Sequence, residues 1–431
     1  MKLVHRANAC FSLCHNEKHI LMDPWLDGPA VAQGWAQYPP AKVKYEDIPK
    51  PDLIYISHIH SDHCEKETLS QIDKETPIII MDLGPNFLYK MLRREGFKNI
   101  NLLKEKKLTE INTINGMYAE PFGGSFDHIQ NNVIDSGIVF KIEDQIIINH
   151  NDNNPSPDLC YYLKNKYKKI NLALIPGGGG SGYPAMYENL SKKEKQVIIK
   201  KQLNVYLKMF SSAVDILKPE IAIPVAGGFA IRGHKDKSVN WLQMRFLNHN
   251  DIKDYHNKYG NYKKSKILPM QPEIEIDLVK KEYTNYMYQP WTKEQSEEYF
   301  NQLAKEKIKP LVETQYEVPC ISRLMSTARK NLWIYQENHG MKPDYKIYFD
   351  IYDINKLFEL SLSVNEIKEL KYKSVKKKPY LRMKIDQNTM LEWLLGFEDF
   401  NMLDSGHRIS FFRDPNDYVV EAYYLMSLFR L

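Results

Sequence analysis

The stretch His58-Ile59-His60-Ser61-Asp62-His63 places three imidazoles and a carboxylate directly behind the apolar run Leu53-Ile54-Tyr55-Ile56. Crowded into one loop and buried unpaired, these groups would suffer heavy desolvation and mutual repulsion, and a divalent cation removes both penalties. His58 and His60 are two apart, so their rings can point the same way, while Asp62 and His63 serve a second point nearby. Two chemistries follow from such a centre: a bound ion can lower the pKa of water towards neutrality for hydrolysis, or bind O2 at open positions.

The elements that must carry this loop are legible around it. An apolar strand ending at Ser57 delivers the following residues to a sheet edge, where side chains project into a cleft. From Lys2 to Leu174 short β-rich runs alternate with turns, at residues 19–22, 53–56, 78–81, 138–142 and 146–148, the last two forming a hairpin that turns at Glu143-Asp144. A helix is expected over 86–95, closed by Gly96 in the left-handed conformation. After the glycine run 177–180, the capping box Ser191/Glu194 opens a long helix. Its apolar face should be Val197, Leu203, Leu207, Phe210, Val214 and Leu217, followed by a strand at 221–225. A second capping box, Thr292/Gln295, marks a boundary between a catalytic part, 1–290, and a C-terminal part, 291–431. The latter alternates strands (345–352, 380–385, 408–412) with helices (390–395, 419–428), a small α+β pattern. The run Lys371 to Lys378 reads as a solvated loop.

A chain of 431 residues exceeds the size at which a single core keeps growing, so two domains are the default. The balance of 59 basic against 54 acidic side chains, +5 net, is too mild to argue for nucleic acid as partner. No stretch approaches the roughly 20 apolar residues of a membrane span and no charged leader with an apolar core begins the sequence, so a cytoplasmic protein is expected. The cysteines Cys10, Cys14, Cys64, Cys160 and Cys320 are odd in number and include no Cys-x-x-Cys pair, which fits buried thiols in a reducing compartment. Nothing in the sequence sets an oligomeric state.

His-x-His-x-Asp-His behind an apolar strand resembles the signature of the metallo-β-lactamase superfamily, in which two metal ions sit at the edge of an αββα sandwich. The resemblance implies an α/β fold of that type. It also implies distal ligands: His128 after Phe122-Gly-Gly-Ser-Phe-Asp127, Asp152 after Ile148-Asn-His-Asn, and His234 after the 223–233 stretch. His58, His60 and His128 would hold one ion, Asp62, His63 and His234 the other, with Asp152 bridging; Asp62, Asp152 and His234 would be the catalytic members. His150, two residues from Asp152 on the same strand face, is read as supporting the ligands from behind.

Stretches outside the ligands resemble the catalytic part of the CMP-N-acetylneuraminate monooxygenase family, the sialic acid hydroxylases. They are Asp23-Pro-Trp-Leu-Asp-Gly-Pro-Ala30 with Gly34-Trp35, Gly179-Gly-Ser-Gly-Tyr-Pro184, Pro224-Val-Ala-Gly-Gly-Phe229 with His234-Lys-Asp-Lys237, and Arg413-Asp-Pro-Asn-Asp-Tyr418. This resemblance implies an iron-dependent oxygenase acting on a small acidic metabolite such as an N-acylated sugar nucleotide. That family also carries a Rieske cluster held by two Cys and two His, a set not found in this sequence, so electrons are expected from a separate protein. The alternative is a zinc-dependent hydrolase of an ester, amide or phosphodiester. Among the matching stretches, Asp23 is suited to orient a ligand histidine, Gly179 and Ser181 to approach an anion, and Arg232 and Lys235 to grip an acidic substrate. The C-terminal segment resembles a sterol-carrier-like α+β module.

Overall fold

The structure is a computed structural model that describes residues 1–123, 135–243, 248–311, 321–374 and 377–431. Two large sheets lie face to face. The first runs, in spatial order, Glu282–Tyr283, Glu275–Asp277, Lys2–Ala7, Cys10–His15, Lys18–Met22, Leu53–Tyr55, Ile78–Met81 and Ile100–Leu103. The second runs Lys266–Ile267, Ile221–Val225, Leu172–Pro176, Gln145–Asn149, Ser136–Ile142, Met117–Gly123 and Thr109–Glu110. Strands 53–55, 78–81 and 100–103 pair in parallel, and so do 145–149, 172–176 and 221–225. Parallel strands covered on both faces are apolar on both faces, which is why Leu53-Ile54-Tyr55 and Ile78-Ile79-Ile80 read as unbroken runs.

Alternation then divides the side chains between layers. Leu13, Ile20, Tyr55 and Ile79 meet Ile138, Phe140, Leu172 and Leu174 between the sheets. Ile54, Ile78 and Ile80 face outward onto Leu69, Leu88 and Leu92 of the helices Lys66–Gln71 and Phe87–Arg94. Val139, Ile148 and Ala173 face outward onto the helices Pro157–Tyr167 and Lys192–Leu217. The layering is αββα. Asn86 caps the 87–94 helix, and Gly96 follows at φ +94, as its position required. The Ser191 box is formed at the start of the long helix, where Phe210, Val214 and Leu217 are buried. Val197, expected on that face, is 49% exposed, and Ile199 is buried in its place.

A further sheet, Glu366–Leu370, Lys356–Ser361, Lys346–Ile351, Tyr380–Ile385 and Ser410–Asp414, forms the C-terminal α+β unit with the helices Ile321–His339, Gln387–Leu394, Phe400–Ser405 and Val420–Ser427. The 356–361 and 366–370 strands escaped the sequence reading because the outer one carries alternating charges and little apolar signal. One hydrophobic cluster joins this unit to the sandwich: Trp25, Val31, Trp35 and Phe229 share it with Phe349, Trp393 and Leu403. Helix Lys293–Leu303 leans the other way, its Phe300 and Leu303 packing on Tyr38 and Ala230. Among the described residues no helix is long and apolar enough to cross a membrane.

Two buried histidines, His5 and His407, each contribute an acid-sensitive share of the stability. Burial lowers the pKa of both His5 and His407 from 6.5 to about 4. At these two sites the unfolded chain binds more protons between pH 6.5 and about 4, so each contributes stability that is lost as pH drops through that window, opposed by Asp404 and Glu398, whose carboxyls burial raises to about 7. The share of each histidine in metal-free protein is about one to three kcal/mol. Denaturant unfolding across the window, native chain against His5→Gln, checks this: the variant should lose less stability on acidification, and equal losses in the two proteins would refute it.

Candidate metal centre

Beyond Tyr55 the chain leaves the sheet and every donor in the 57–63 loop is fixed by a named contact. The carboxylate of Asp23, fully buried at the end of the neighbouring strand, accepts from Ser57 N–H at 2.7 Å and from Ser57 Oγ at 2.9 Å. The same carboxylate lies 3.0 Å from His63 Nδ1. His58 turns Nδ1 to Ser57 Oγ at 2.9 Å, and His63 closes the loop by donating its N–H to His60 O at 3.0 Å. Both rings thus have one nitrogen engaged behind and Nε2 directed forward.

Those forward atoms converge with others from distant parts of the chain. His58 Nε2 is 2.8 Å from His60 Nδ1, 3.6 Å from Asp135 Oδ1 and 3.7 Å from Asp152 Oδ2. His63 Nε2 is 3.4 Å from Asp62 Oδ2 and 3.5 Å from Asp152 Oδ2. Two overlapping groups result, His58/His63/Asp152 and His58/His60/Asp135, each with its ligand atoms within 4.8 Å of one another.

The two sheets are tied together immediately behind this cluster. Ser136 Oγ donates to Ser57 O at 2.7 Å, and Tyr55 Oη lies 3.1 Å from Ser136 O. Asn151 Nδ2 donates to Ser136 O at 3.1 Å, and Asn151 adopts φ +55 to turn the chain there. Ser57, Ser136 and Asn151 are the immediate neighbours of His58, Asp135 and Asp152, so one buried network sets three ligands at once. Asp62 has its own support: Asn8 Nδ2 donates to Asp62 Oδ2 at 3.4 Å and its Oδ1 accepts from Gly228 N–H at 3.1 Å.

Charge and satisfaction both fit a cation. Burial alone would raise the Asp152 carboxyl, yet His58 and His63 hold it well below the usual carboxylate range. Burial lowers His58 far below its ordinary value, whereas in His63 the carboxylates of Asp62, Asp152 and Asp23 outweigh burial and lift it well above. His63 Nε2 and Asp152 Oδ1 are buried with no hydrogen bond among the described residues. Orphaned buried donors and acceptors are costly, and imidazole with carboxylate is a donor set that transition-metal ions accept. Asp23→Asn should lower metal affinity about 10- to 100-fold, the usual cost of losing a partner that orients a ligand. Competition against a chelator measures it, and native affinity would show that Asp23 does not orient His63.

Not every residue singled out in the sequence lies at this point. His128 falls outside the described residues. His234 is in neither ligand group: it follows the short Phe229–Ile231 strand, which pairs with Trp35–Gln37 in a separate sheet, and its Nδ1 is occupied by Asp236 N–H at 3.2 Å. His150 is buried beside Phe122, ring centroids 5.2 Å apart, and burial lowers its pKa to about 3, so it sits as a neutral core histidine outside both groups. Gly179 lines the cleft, but Ser181 does not, its Oγ accepting from Tyr183 N–H at 3.1 Å. Arg232 is spent on Glu306 at 2.6 Å and Lys235 is exposed elsewhere; neither lines the cleft. The glycine run is explained by close packing: a Cβ at Gly179 would strike the Tyr206 hydroxyl, and one at Gly180 the Trp35 ring. Asp135 was missed: it precedes its strand, Ser136–Ile142, whereas the recognised loop follows one, and no motif marks it.

The cluster opens into a cavity of about 700 Å³. Comparison with known proteins bears on what this arrangement belongs to. Residues 3–226 match the beta-lactamase superfamily domain. Cytidine monophosphate-N-acetylneuraminic acid hydroxylase from Xenopus laevis is 30% identical over 260 residues, covering 57% of this chain and 41% of that protein. The Mus musculus protein of the same name is 28% identical over 256 residues, 56% and 41% of the respective chains. The chain thus matches about two fifths of the length of these relatives. Among solved structures, CmlA, a diiron beta-hydroxylase from Streptomyces venezuelae, aligns over 64% of this chain and 53% of its own at 15% identity, with a TM-score of 0.42.

Proposed function

This chain belongs to the metallo-β-lactamase superfamily, and on that footing we propose that it is an iron-dependent oxygenase that hydroxylates a small acidic metabolite. The observation that carries the reading is the composition of the two ligand groups. Each consists of two imidazoles and one carboxylate, the donor set of non-haem iron oxygenases. The hydroxylase relatives support an N-acylated sugar nucleotide as the substrate class.

His60 and Asp135 would hold one ion and His63 and Asp152 the second, with His58 belonging to both groups, and iron bound by these donors would supply O2 binding and activation. The chain's own residues do the rest. Asp23 and Ser57 fix the ring orientations of His58 and His63. Tyr206 lines the cavity with its phenol held protonated, burial pushing it up to about 12. Met209, Met402 and Trp35 give the cavity apolar walls that exclude water from the reacting C–H bond. In the overall reaction one atom of O2 enters that bond and the other leaves as water, so a reductant is required, and we assign its delivery to a separate electron-transfer protein.

The test begins with protein purified from its own host. About two irons per chain, with O2 uptake matched to hydroxylated product in the presence of a reductant, is the expected result. Zinc in place of iron, with turnover of an ester or phosphodiester and no O2 uptake, would replace this reading with a hydrolase.

A further inference from the structure

The cavity over the metal centre is not enclosed by the sandwich alone. Asn401, Met402 and Ser405, on the helix Phe400–Ser405 of the C-terminal unit, line it together with Lys208 and Met209 of the long helix Lys192–Leu217. The two parts of the chain are interlocked at this point. Trp35 Nε1 donates to Ser405 O at 2.7 Å, Arg408 Nη1 donates to Ala32 O at 2.9 Å, and Gly34 lies so close to the Gly406 backbone that no Cβ fits between them. Gly182 abuts Asp404 in the same way. A wall keyed into the sandwich by backbone contacts on both sides of the cavity does not swing away without breaking them.

The charges lining the cavity are arranged in one direction. His60, Asp62, Asp135 and Asp152 cluster at the metal centre, whereas Lys208 is the one basic side chain lining the cavity among the described residues. It is exposed and makes no ion pair among them. An exposed lysine is ordinarily solvated and carries no meaning alone. Here it lines the reaction cavity together with two exposed residues that each offer an amide, Asn154 and Asn401, and of these Asn401 is the one on the C-terminal unit.

We propose that the C-terminal unit is a fixed wall of the reaction cavity, and that Lys208 and Asn401 form a subsite that holds a carboxylate or phosphate of the substrate away from the metal centre. The inference rests on the proposed function only in taking the metal cluster as the reacting end of the cavity. It explains how a site whose reacting end is rich in carboxylates can select an acidic molecule: one anionic group binds at the ions and the second is received at the rim by an ammonium and an amide.

The experiment uses metal-loaded full-length chain and calorimetric titration with dicarboxylates from succinate to pimelate, each against the monocarboxylate of equal length. At the matching length the dicarboxylate should bind about tenfold more tightly, the increment of one hydrogen-bonded charge pair. Lys208→Glu should abolish that preference, and Asn401→Asp, which adds charge without changing shape, should reduce it severalfold. Lys201→Glu, an exposed lysine of the same helix that does not line the cavity, should leave it intact. Metal content must be equal in all four proteins. Absence of any dicarboxylate preference in the native chain, or its survival in Lys208→Glu, overturns the subsite; survival in Asn401→Asp alone overturns the share assigned to the C-terminal unit. The measurement needs neither O2 nor turnover, so a failure of the oxygenase reading leaves its outcome readable.

Discussion

His58→Ala is expected to empty the metal centre. His58 is the one residue common to both ligand groups, with Nε2 within 3.7 Å of His60, Asp135 and Asp152. Loss of a partner that merely orients a ligand costs about 10- to 100-fold in affinity, so loss of a shared donor should exceed about a hundredfold. The damage compounds, because Asp135 and Asp152, both half-buried, would be left without the cation that offsets their charge. Metal analysis after dialysis against a weak chelator, with any turnover the native protein shows, gives the measurement. His234→Ala is the matched comparison and should retain its metal, since that ring lies in neither group. Equal metal loss in the two variants would mean that His234 moves to the centre when the ions bind, and would restore it as a ligand.

The second large effect is expected at Gly34. A Cβ there would fall within the backbone of Gly406, and rigid backbone, unlike the end of a flexible side chain, cannot move aside cheaply. Gly34→Val should therefore destabilise the chain by about 3 kcal/mol, at the upper end for overpacking. The strain falls between Trp35, stacked on Phe229 with centroids 3.6 Å apart, and the Phe400–Ser405 helix, so it should prise the C-terminal unit from the cavity. Denaturant unfolding with limited proteolysis around residue 405 reports both outcomes. A native unfolding midpoint with unaltered protection would refute the interlock and, with it, the fixed wall. The smaller change Gly182→Ala, against the side chain of Asp404, should follow in the same direction with less effect.

The electrostatics of the centre depend on a balance that single substitutions reveal poorly. Asp62, Asp135 and Asp152 are held near two or three imidazoles, and His63 carries the excess proton affinity. Removing one carboxylate changes both the ligand count and the field at the others, so effects at Asp62 and Asp152 should not be additive. A double substitution should lose less metal affinity than the sum of the singles.

The sequence by itself determined the local parts of this site. Six consecutive residues behind an apolar strand are enough to specify that His58, His60, Asp62 and His63 leave a sheet edge together, because strand termination and loop direction are local properties. Capping was equally local: the Ser191/Glu194 and Thr292/Gln295 boxes each form at the helix start they announced. So was the hairpin at Glu143, which takes φ +52 in the turn between Ser136–Ile142 and Gln145–Asn149.

What only the tertiary structure decided is which distant residues arrive at the same point. Asp135 reaches His58 because the Ser136–Ile142 strand packs against the other sheet through the Tyr55, Ser57, Ser136 and Asn151 network, a contact spanning 79 residues between Ser57 and Ser136. His234 has the right residue type at a plausible distance in sequence, but its strand pairs with Trp35–Gln37 and carries it elsewhere. Arg232 reads as a substrate clamp in sequence and is an ion-pair partner of Glu306 in space. Lys208 and Asn401 had no signal at all, since one is an ordinary polar residue of a long helix and the other lies in a different unit of the chain. Residue type and spacing encode what a segment can do; the packing of two sheets and one appended unit decides which segments share a cavity, because the energy that fixes it is spread over the apolar layers and not held in any motif.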